Sequence, residues 1–597
     1  MSTYTAPVQD MLFVLEHLAG LDRIAALPGG ESATPDLVAQ VLEEAGKFAG
    51  EVLAPLNLPG DHEGSVLENG VVRTPAGFAD AYRQFATGGW NSVPFDPAHG
   101  GQGLPWLVAT AIDEMWQSAN LSFSLMPMLS HGAVELLEAH GSPEQKRLFL
   151  EKMVSGEWSG TMNLTEPSAG SDVGALRTRA VRENGHYKIA GQKIFITYGE
   201  HDLTDNIVHL VLARVAGAPA GSKGVSLFIV PKLMVGADGR AGARNDLRCV
   251  SLEHKLGIHA SPTCVMAFGD SGGAVGYLVG EENRGLEYMF TMMNNARLAV
   301  GLQGVAIAER AYQQARDYAR GRVQSREIGG RSPDPVPIIR HPDVRRMLLA
   351  MRAQTEAARA LAYSAMASLD LARRHTDTAE RMRHQARVDL LTPVVKAWCT
   401  DLGVEVASLG IQVHGGMGFI EETGAAQHYR DARIAPIYEG TNGIQAIDLV
   451  FRKLGRDQGE AARAYFAEVA ALDPRLAAGP GDDLAAIRRQ LGHGLDALRQ
   501  ASEWLVAKQT NDPRAAAAGA APYLRLFGLV AGGHQMASAA LAAIDALGAG
   551  DGDSGFNQAK VSSARFFADH LLSQAPALLH PVTAGAKSVL SFVEDRF

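Results

Sequence analysis

The sequence predicts an α+β multidomain protein: an N-terminal helical domain, a middle antiparallel β domain, a four-helix bundle and an extra C-terminal helical domain. Three observations carry this expectation. At 597 residues the chain is too long for one hydrophobic core. Apolar residues recur at helical spacing to about residue 157 and again from about 279, whereas 158–278 holds short runs rich in Val, Ile, Phe and Tyr, separated by turn residues. After residue 455 the composition shifts toward Ala and Gly while the helical period continues. The expected segments are therefore 1–157, 158–278, 279–455 and 456–597.

In the first segment Met11, Leu12, Val14, Leu15 and Leu18 share a helix face, as do Val38, Val41, Leu42, Ala45 and Phe48. Residues 61–75 read as a loop, 78–85 as a helix stopped by Gly88-Gly89-Trp90, and 96–105 as a second Gly- and Pro-rich loop. Helices are expected over 107–132 and 133–140, and from Pro143 to near Gly156. In the second segment 186–197, 206–215, 224–231 and 249–268 read as strands. No helix intervenes, so an antiparallel barrel or sandwich is expected. The third segment shows helical runs over 286–326, 341–374 and 379–409, a Pro-rich loop at 331–337, and a fourth helix from near Gly443, which together make a bundle. In the last segment 484–508, 523–547 and 556–575 are helical, and Leu484, Ile487, Leu491, Leu495 and Leu498 form one apolar stripe.

Composition narrows the function. Hydrophobic residues make up 46% and charged residues 20%, a soluble globular balance. A net charge of −10 argues against a general nucleic-acid binder. Cys249, Cys264 and Cys399 lie too far apart in sequence for a metal-ligand cluster or a disulfide framework, so a reducing cytoplasm is expected. The first five residues lack a signal-peptide pattern, and the most apolar stretch, 515–548, contains Arg525, His534 and Gln535 and reads as buried helix rather than a membrane span. No Gly-x-Gly-x-x-Gly opens a helix after a strand, no phosphate-binding P-loop occurs, and no His/Cys group has zinc spacing.

Four stretches can carry chemistry. Ile437-Tyr438-Glu439-Gly440-Thr441 sets a lone carboxylate among neutral residues, with glycines that let the backbone turn sharply. Glu439 is read either as the cap of a helix beginning near Ile444 or as a base in a ligand cleft. Leu164-Thr165-Glu166 through Gly170-Ser171-Asp172 offers hydroxyls and backbone N–H groups for ring heteroatoms and phosphate, or else is a polar connection. In Lys193-Ile194-Phe195-Ile196-Thr197, Phe195 and Thr197 are two apart on a strand and so share a face, where an aromatic could cover a flat ring and a hydroxyl bond its edge; ordinary strand core is the other reading. Gln412-Val413-His414-Gly415-Gly416-Met417-Gly418 precedes the Glu439 stretch.

Together these motifs resemble the acyl-CoA dehydrogenase family over about residues 30–455, with Gly257–Thr263, Arg297 and Arg322 matching in order. The resemblance implies an FAD-dependent enzyme of fatty acid metabolism and β-oxidation that turns an acyl-CoA thioester into trans-2-enoyl-CoA. FAD would lie between the β domain and the bundle. Leu164, Thr165, Ser171, Phe195, Thr197 and Thr441 would line it, and Arg322, Gln412 and Gly416 would reach the FAD of a partner, which implies a homodimer. Substrate would meet Ser171, Arg297 and Gly440. Glu439 would take the α-proton, with its own backbone N–H and a ribityl hydroxyl polarising the thioester oxygen. Some relatives carry the base one residue before the match to Arg297; here that residue is Ala296. Phe195 stands where many members have Trp, and Ser325-Arg326 replaces the usual Phe-Gly. The long alanine-rich tail resembles the large bacterial branch and is expected to limit assembly to a dimer. An electron-transfer flavoprotein is the expected acceptor. An oxidase using O2 on the same fold, a DNA-associated flavoprotein of the superfamily and a cofactor-free helical scaffold are the rival readings; acidity and the retained Glu439 argue against the DNA-associated one.

Overall fold

The computed structural model describes residues 4–330 and 333–597; residues 331–332 of the Pro-rich loop lie outside them, as do residues 1–3. Among the described residues the chain forms two compact units, one of Ala45–Leu104 and Met115–Ala299, the other of residues up to Glu44, Pro105–Glu114 and Val300–Phe597.

The first unit holds a helical part and the sheet. Asn120 divides the run expected at 107–132: its side chain accepts from Phe123 N at 3.0 Å, caps the helix Leu121–His140, and ends the preceding helix Trp106–Ala119. Ser142 and Gln145 form a reciprocal capping box at the start of Pro143–Val154. The expected loop at 61–75 contains a two-stranded hairpin, Val66–Glu68 with Val71–Arg73. Asn69 (φ 51°) and Gly70 (φ 79°) supply the positive dihedrals that a tight two-residue turn requires.

Eight strands make the main sheet: β1 (Trp158–Asn163), β2 (Arg179–Glu183), β3 (His186–Thr197), β4 (Asn206–Val215), β5 (Ser226–Pro231), β6 (Leu247–Leu252), β7 (Thr263–Phe268) and β8 (Ala274–Leu278). The order is β6-β7-β3-β8-β5-β4-β1, and β2 pairs with both β3 and β4, so β3, β8, β5, β4 and β2 close a ring. The expectation of a purely antiparallel sheet is corrected at two places. β1 and β2 both run parallel to β4, because chain returning from β3 re-enters beside strands laid down earlier. The run 249–268 is likewise two strands with a loop between them. Ile189, Ile196, Val211, Phe228, Met266 and Phe268 fill the core of the ring.

The second unit is helical. It contains α1 (Val8–His17), the first half of α2 (Trp106–Ala119), the C-terminal part of α3 (Gly285–Gly321), α4 (Pro342–Arg374), α5 (Thr378–His414), α6 (Asn442–Ile447), α7 (Gly481–Asn511), α8 (Ala520–Ala549) and α9 (Ser554–His570). α3 stops at Gly321 rather than near Arg326, since the backbone of Val323 bridges to Pro337 and leaves the helix path. The fourth bundle helix is short: α6 runs six residues and continues as a π-helix, Asp448–Leu454.

α8 is long and apolar enough by composition to cross a membrane, yet most of that stretch is buried within the protein. It docks through glycine. A Cβ at Gly528 would stand 2.2 Å from Trp398 Cγ, and one at Gly532 would stand 2.6 Å from Trp398 Cη2, so the indole of α5 occupies the groove those residues leave. All five residues of the α7 stripe are buried.

Charge is buried here too. The Arg359 guanidinium on α4, 1% exposed, meets Glu114 of α2 at 2.6 Å, Glu309 of α3 at 2.7 Å and Asp10 of α1 at 2.5 Å. Tyr363 donates to Glu114 at 2.8 Å, and Lys560 of α9 pairs with Asp10. Burial lifts the Glu114 carboxyl above the usual carboxylate range even with Arg359 beside it.

Candidate functional site

In the first unit one buried ion pair binds two of the sequence motifs together. Lys193 on β3 is fully buried and donates to Glu166 Oε1 at 2.8 Å and to Leu164 O at 2.9 Å. Glu166 also accepts from Arg177 N at 2.6 Å and from the backbone and hydroxyl of Thr178 at 3.0 and 2.6 Å. Burial works to raise Glu166, but Lys193 and these hydrogen bonds outweigh it and hold the carboxyl below its ordinary value. Burial pushes Lys193 down to about 8 against the pull of Glu166. Ile194 N donates to Thr165 O at 3.0 Å and Thr161 Oγ1 to Thr197 O at 2.7 Å, which completes the seam. The structure thus brings Leu164, Thr165, Phe195 and Thr197 together, while Ser171 lies exposed on the connecting loop.

The regular alternation expected for Phe195 and Thr197 does not hold. Between Lys193 and Ile196 the pairing with β7 slips by a residue, and Phe195 takes φ 61°. The bulge turns its ring outward, 59% exposed. A large aromatic displayed beside the half-buried Thr165 and Thr197 fits a flat heteroaromatic ring with polar edges. Arg297 is buried at 6% exposure, with its guanidinium 6.0 Å from the Phe290 ring, and Ala296 before it is a buried methyl that can take no proton.

In the second unit Glu439 is half-buried and sits at φ 56°, with Gly440 at φ 82°. A left-handed conformation at a residue with a Cβ costs about 1–3 kcal/mol and persists only where its surroundings impose it. Tyr438 supplies one restraint by donating its hydroxyl to Gln303 of α3. Buried Gln445 supplies another, with Nε2 bonding Gly440 O at 3.1 Å and reaching Glu439 O at 3.5 Å. Glu439 does not cap the following helix. Thr441 does, its Oγ1 accepting from Ile444 N at 3.4 Å, so the capping reading of Glu439 is set aside.

Arg322, Gln412 and Gly416 gather elsewhere in this unit. Tyr318, one turn before Arg322, stacks on His414, between Gln412 and Gly416, with ring centroids 4.4 Å apart. All three are exposed. The Glu439 loop meets α5 at residues 396–401, and Gln412 lies roughly 16 Å further along that helix at about 1.5 Å per residue. Sequence reasoning quoted Glu166 and Lys193 only as parts of motifs. The signal that could have joined them is two opposite charges inside otherwise apolar or neutral runs.

The family models described as acyl-CoA dehydrogenase N-terminal, middle and C-terminal domains match residues 38–157, 161–271 and 283–454, and one described as acetyl-CoA dehydrogenase C-terminal like matches 462–592. A 3-methylmercaptopropionyl-CoA dehydrogenase of Ruegeria pomeroyi is 51% identical over 590 residues, 99% of each chain. Among solved structures, Caenorhabditis elegans ACDH-11 in complex with C11-CoA superposes with TM-score 0.77 at 20% identity, covering 99% of this chain and 96% of that one. An acyl-CoA dehydrogenase complexed with FAD from Bacillus anthracis gives TM-score 0.72 at 21% identity, covering 94% and 89%.

Proposed function

Because the chain belongs to the acyl-CoA dehydrogenase family, we propose that it oxidises an acyl-CoA thioester to trans-2-enoyl-CoA with FAD, Glu439 acting as the base. The observation that carries the base assignment is the strained, multiply restrained Glu439 loop, together with a methyl at the alternative position, Ala296.

The Glu439 carboxylate takes the α-proton, and its backbone N–H polarises the thioester oxygen so that charge developing there is stabilised. Gly440 lets the thioester approach the loop closely. Leu164, Thr165, Ser171, Phe195 and Thr197 would line the flavin, Thr441 would reach it from the Glu439 loop, and Arg297 would contact substrate. FAD bound there would supply the acceptor for the β-hydride, and an electron-transfer flavoprotein would be the expected acceptor of the reducing equivalents. The identity to the Ruegeria pomeroyi enzyme makes 3-methylthiopropanoyl-CoA the first substrate to offer. In a panel of acyl-CoA thioesters from short to long, we expect it and short straight chains to give the highest kcat/KM; a preference for long chains with no turnover of the thioether would overturn this substrate reading.

The enzyme acts as a homodimer in this reading. Arg322, Gln412 and Gly416 are exposed and stand about three helical turns from the loop of Glu439, so they suit the cofactor of a second copy. The appendage of α7–α9 restricts assembly to that pair. Light scattering should give about twice the 63.5 kDa chain mass; an active FAD-loaded monomer, or a stable tetramer, would contradict the shared site or the restricting role respectively. Cys249, Cys264 and Cys399 are free and buried, which suits a reducing cytoplasm.

A further inference from the structure

Three residues beyond Glu439, one side chain fastens the base loop to the bundle. Asn442 opens α6 and turns its amide onto a single face of α5. Its Oδ1 receives Lys396 Nζ at 2.9 Å, and its Nδ2 donates to Asp401 Oδ1 at 2.7 Å, Thr400 Oγ1 at 3.0 Å and Ala397 O at 3.1 Å. Positions 396, 397, 400 and 401 lie on adjacent turns of one helix, so the amide bridges two turns with both ends engaged. Lys396 and Thr400 are fully buried, and Thr400 is itself fixed by its hydroxyl, which donates to Lys396 O at 2.7 Å. The backbone N of Asn442 donates to Pro436 O at 3.0 Å, which closes residues 436–442 into one rigid turn around Glu439. α6 also packs against α8, so the C-terminal appendage buttresses the same helix.

We propose that Asn442 is a positioning residue for the base: by binding Lys396, Thr400 and Asp401 it fixes residues 436–442 on α5 and sets where the Glu439 carboxylate stands. This rests on the reading of Glu439 as the base. An amide is suited to the task because it can accept from a buried ammonium and donate to a carboxylate at once; neither a carboxylate nor an alkyl group can do both. Misplacement of a catalytic group by about 1 Å costs on the order of 100-fold in rate, so the loop needs an anchor stiffer than its own strained backbone.

The test is a double-mutant cycle on the FAD-loaded enzyme with Asn442→Ala, Asp401→Ala and the pair. Each single variant should lose about 10- to 100-fold in kcat with KM changed less than about 3-fold. FAD content should be retained, and the isotope effect on kcat with α-deuterated substrate should rise as proton abstraction becomes slower. The double variant should be no slower than the slower single, since both sever the same fastening. An FAD-loaded single variant with kcat within about 2-fold of the parent, or losses that multiply in the pair, would overturn the proposal. If Asn442→Ala does not load FAD, Asp401→Ala decides by the same kcat and isotope criteria. A Glu439→Gln enzyme that turns over normally would remove the base reading itself. An inactive Glu439→Gln beside fully active Asn442→Ala and Asp401→Ala would remove this inference alone.

Discussion

Replacing Glu439 with Gln is expected to reduce dehydrogenation by at least about 10²–10⁴-fold while leaving FAD content and the fold unchanged. Gln preserves the shape of the side chain and the φ 56° backbone but cannot accept the α-proton. The restraints on the loop, Tyr438 with Gln303 and Gln445 with Gly440, act on groups other than the Glu439 carboxylate, so the substitution leaves them in place. Steady-state turnover with an electron-transfer flavoprotein or an artificial dye reads the loss directly. Near-normal turnover would move the base elsewhere.

The second large effect is expected in stability. Arg359→Met should destabilise the helical unit by about 3–5 kcal/mol, the usual consequence of stripping a partner from buried charge. The carboxylates of Glu114 and Glu309, 0% and 6% exposed, would share that low-dielectric space without the guanidinium they meet, and Asp10, 9% exposed, would keep only Lys560. The effect has a pH signature. Burial acts to raise Asp10, and Lys560 and Arg359 outweigh it, lowering the carboxyl from 3.8 to about 2. A depressed carboxylate contributes stability that is complete above its unfolded value and is lost as pH falls through the folded one. The contribution of Asp10 is thus full above about pH 4 and disappears toward pH 2, and without Arg359 the acid unfolding should begin at higher pH. Denaturation midpoints across pH 2–7 measure both; an Arg359→Met protein as stable as its parent would show that the cluster tolerates losing its centre.

The parts of the fold that were legible in the sequence are those decided by local periodicity. The runs at 186–197 and 206–215 became β3 and β4 with those bounds, and the α7 stripe is buried throughout. The parts that were not legible depend on distant partners or on single capping groups. The parallel pairing of β1 with β4 joins strands separated by two others in the chain, and nothing within either strand specifies direction. Asn120 ends one helix and starts the next without interrupting the apolar run around it. The Arg359 cluster draws partners 50, 245 and 349 residues away, so its charges read in sequence as ordinary solvated positions on helices.

At the candidate site the contrast is similar. Glu439 was visible as a lone carboxylate among glycines, a local feature that can be read without any distant partner. The outward turn of Phe195 was not, since it follows from a slip in pairing with β7 rather than from the alternation of β3 itself. The anchor of the Glu439 loop was hidden as well: Asn442 meets Lys396 across 46 residues, and the geometry exists only once α6 lies on α5.

The central claim, that this chain moves an α-proton to Glu439 and a β-hydride to FAD, is tested most directly in a single anaerobic turnover. The FAD-loaded enzyme is mixed with one equivalent of a short acyl-CoA, the visible flavin absorbance is followed, and the thioester product is identified. The parent enzyme should bleach and yield trans-2-enoyl-CoA, while Glu439→Gln should stay yellow with its substrate unchanged. A parent enzyme that binds FAD yet neither bleaches nor forms enoyl-CoA with any thioester of the panel would contradict the account.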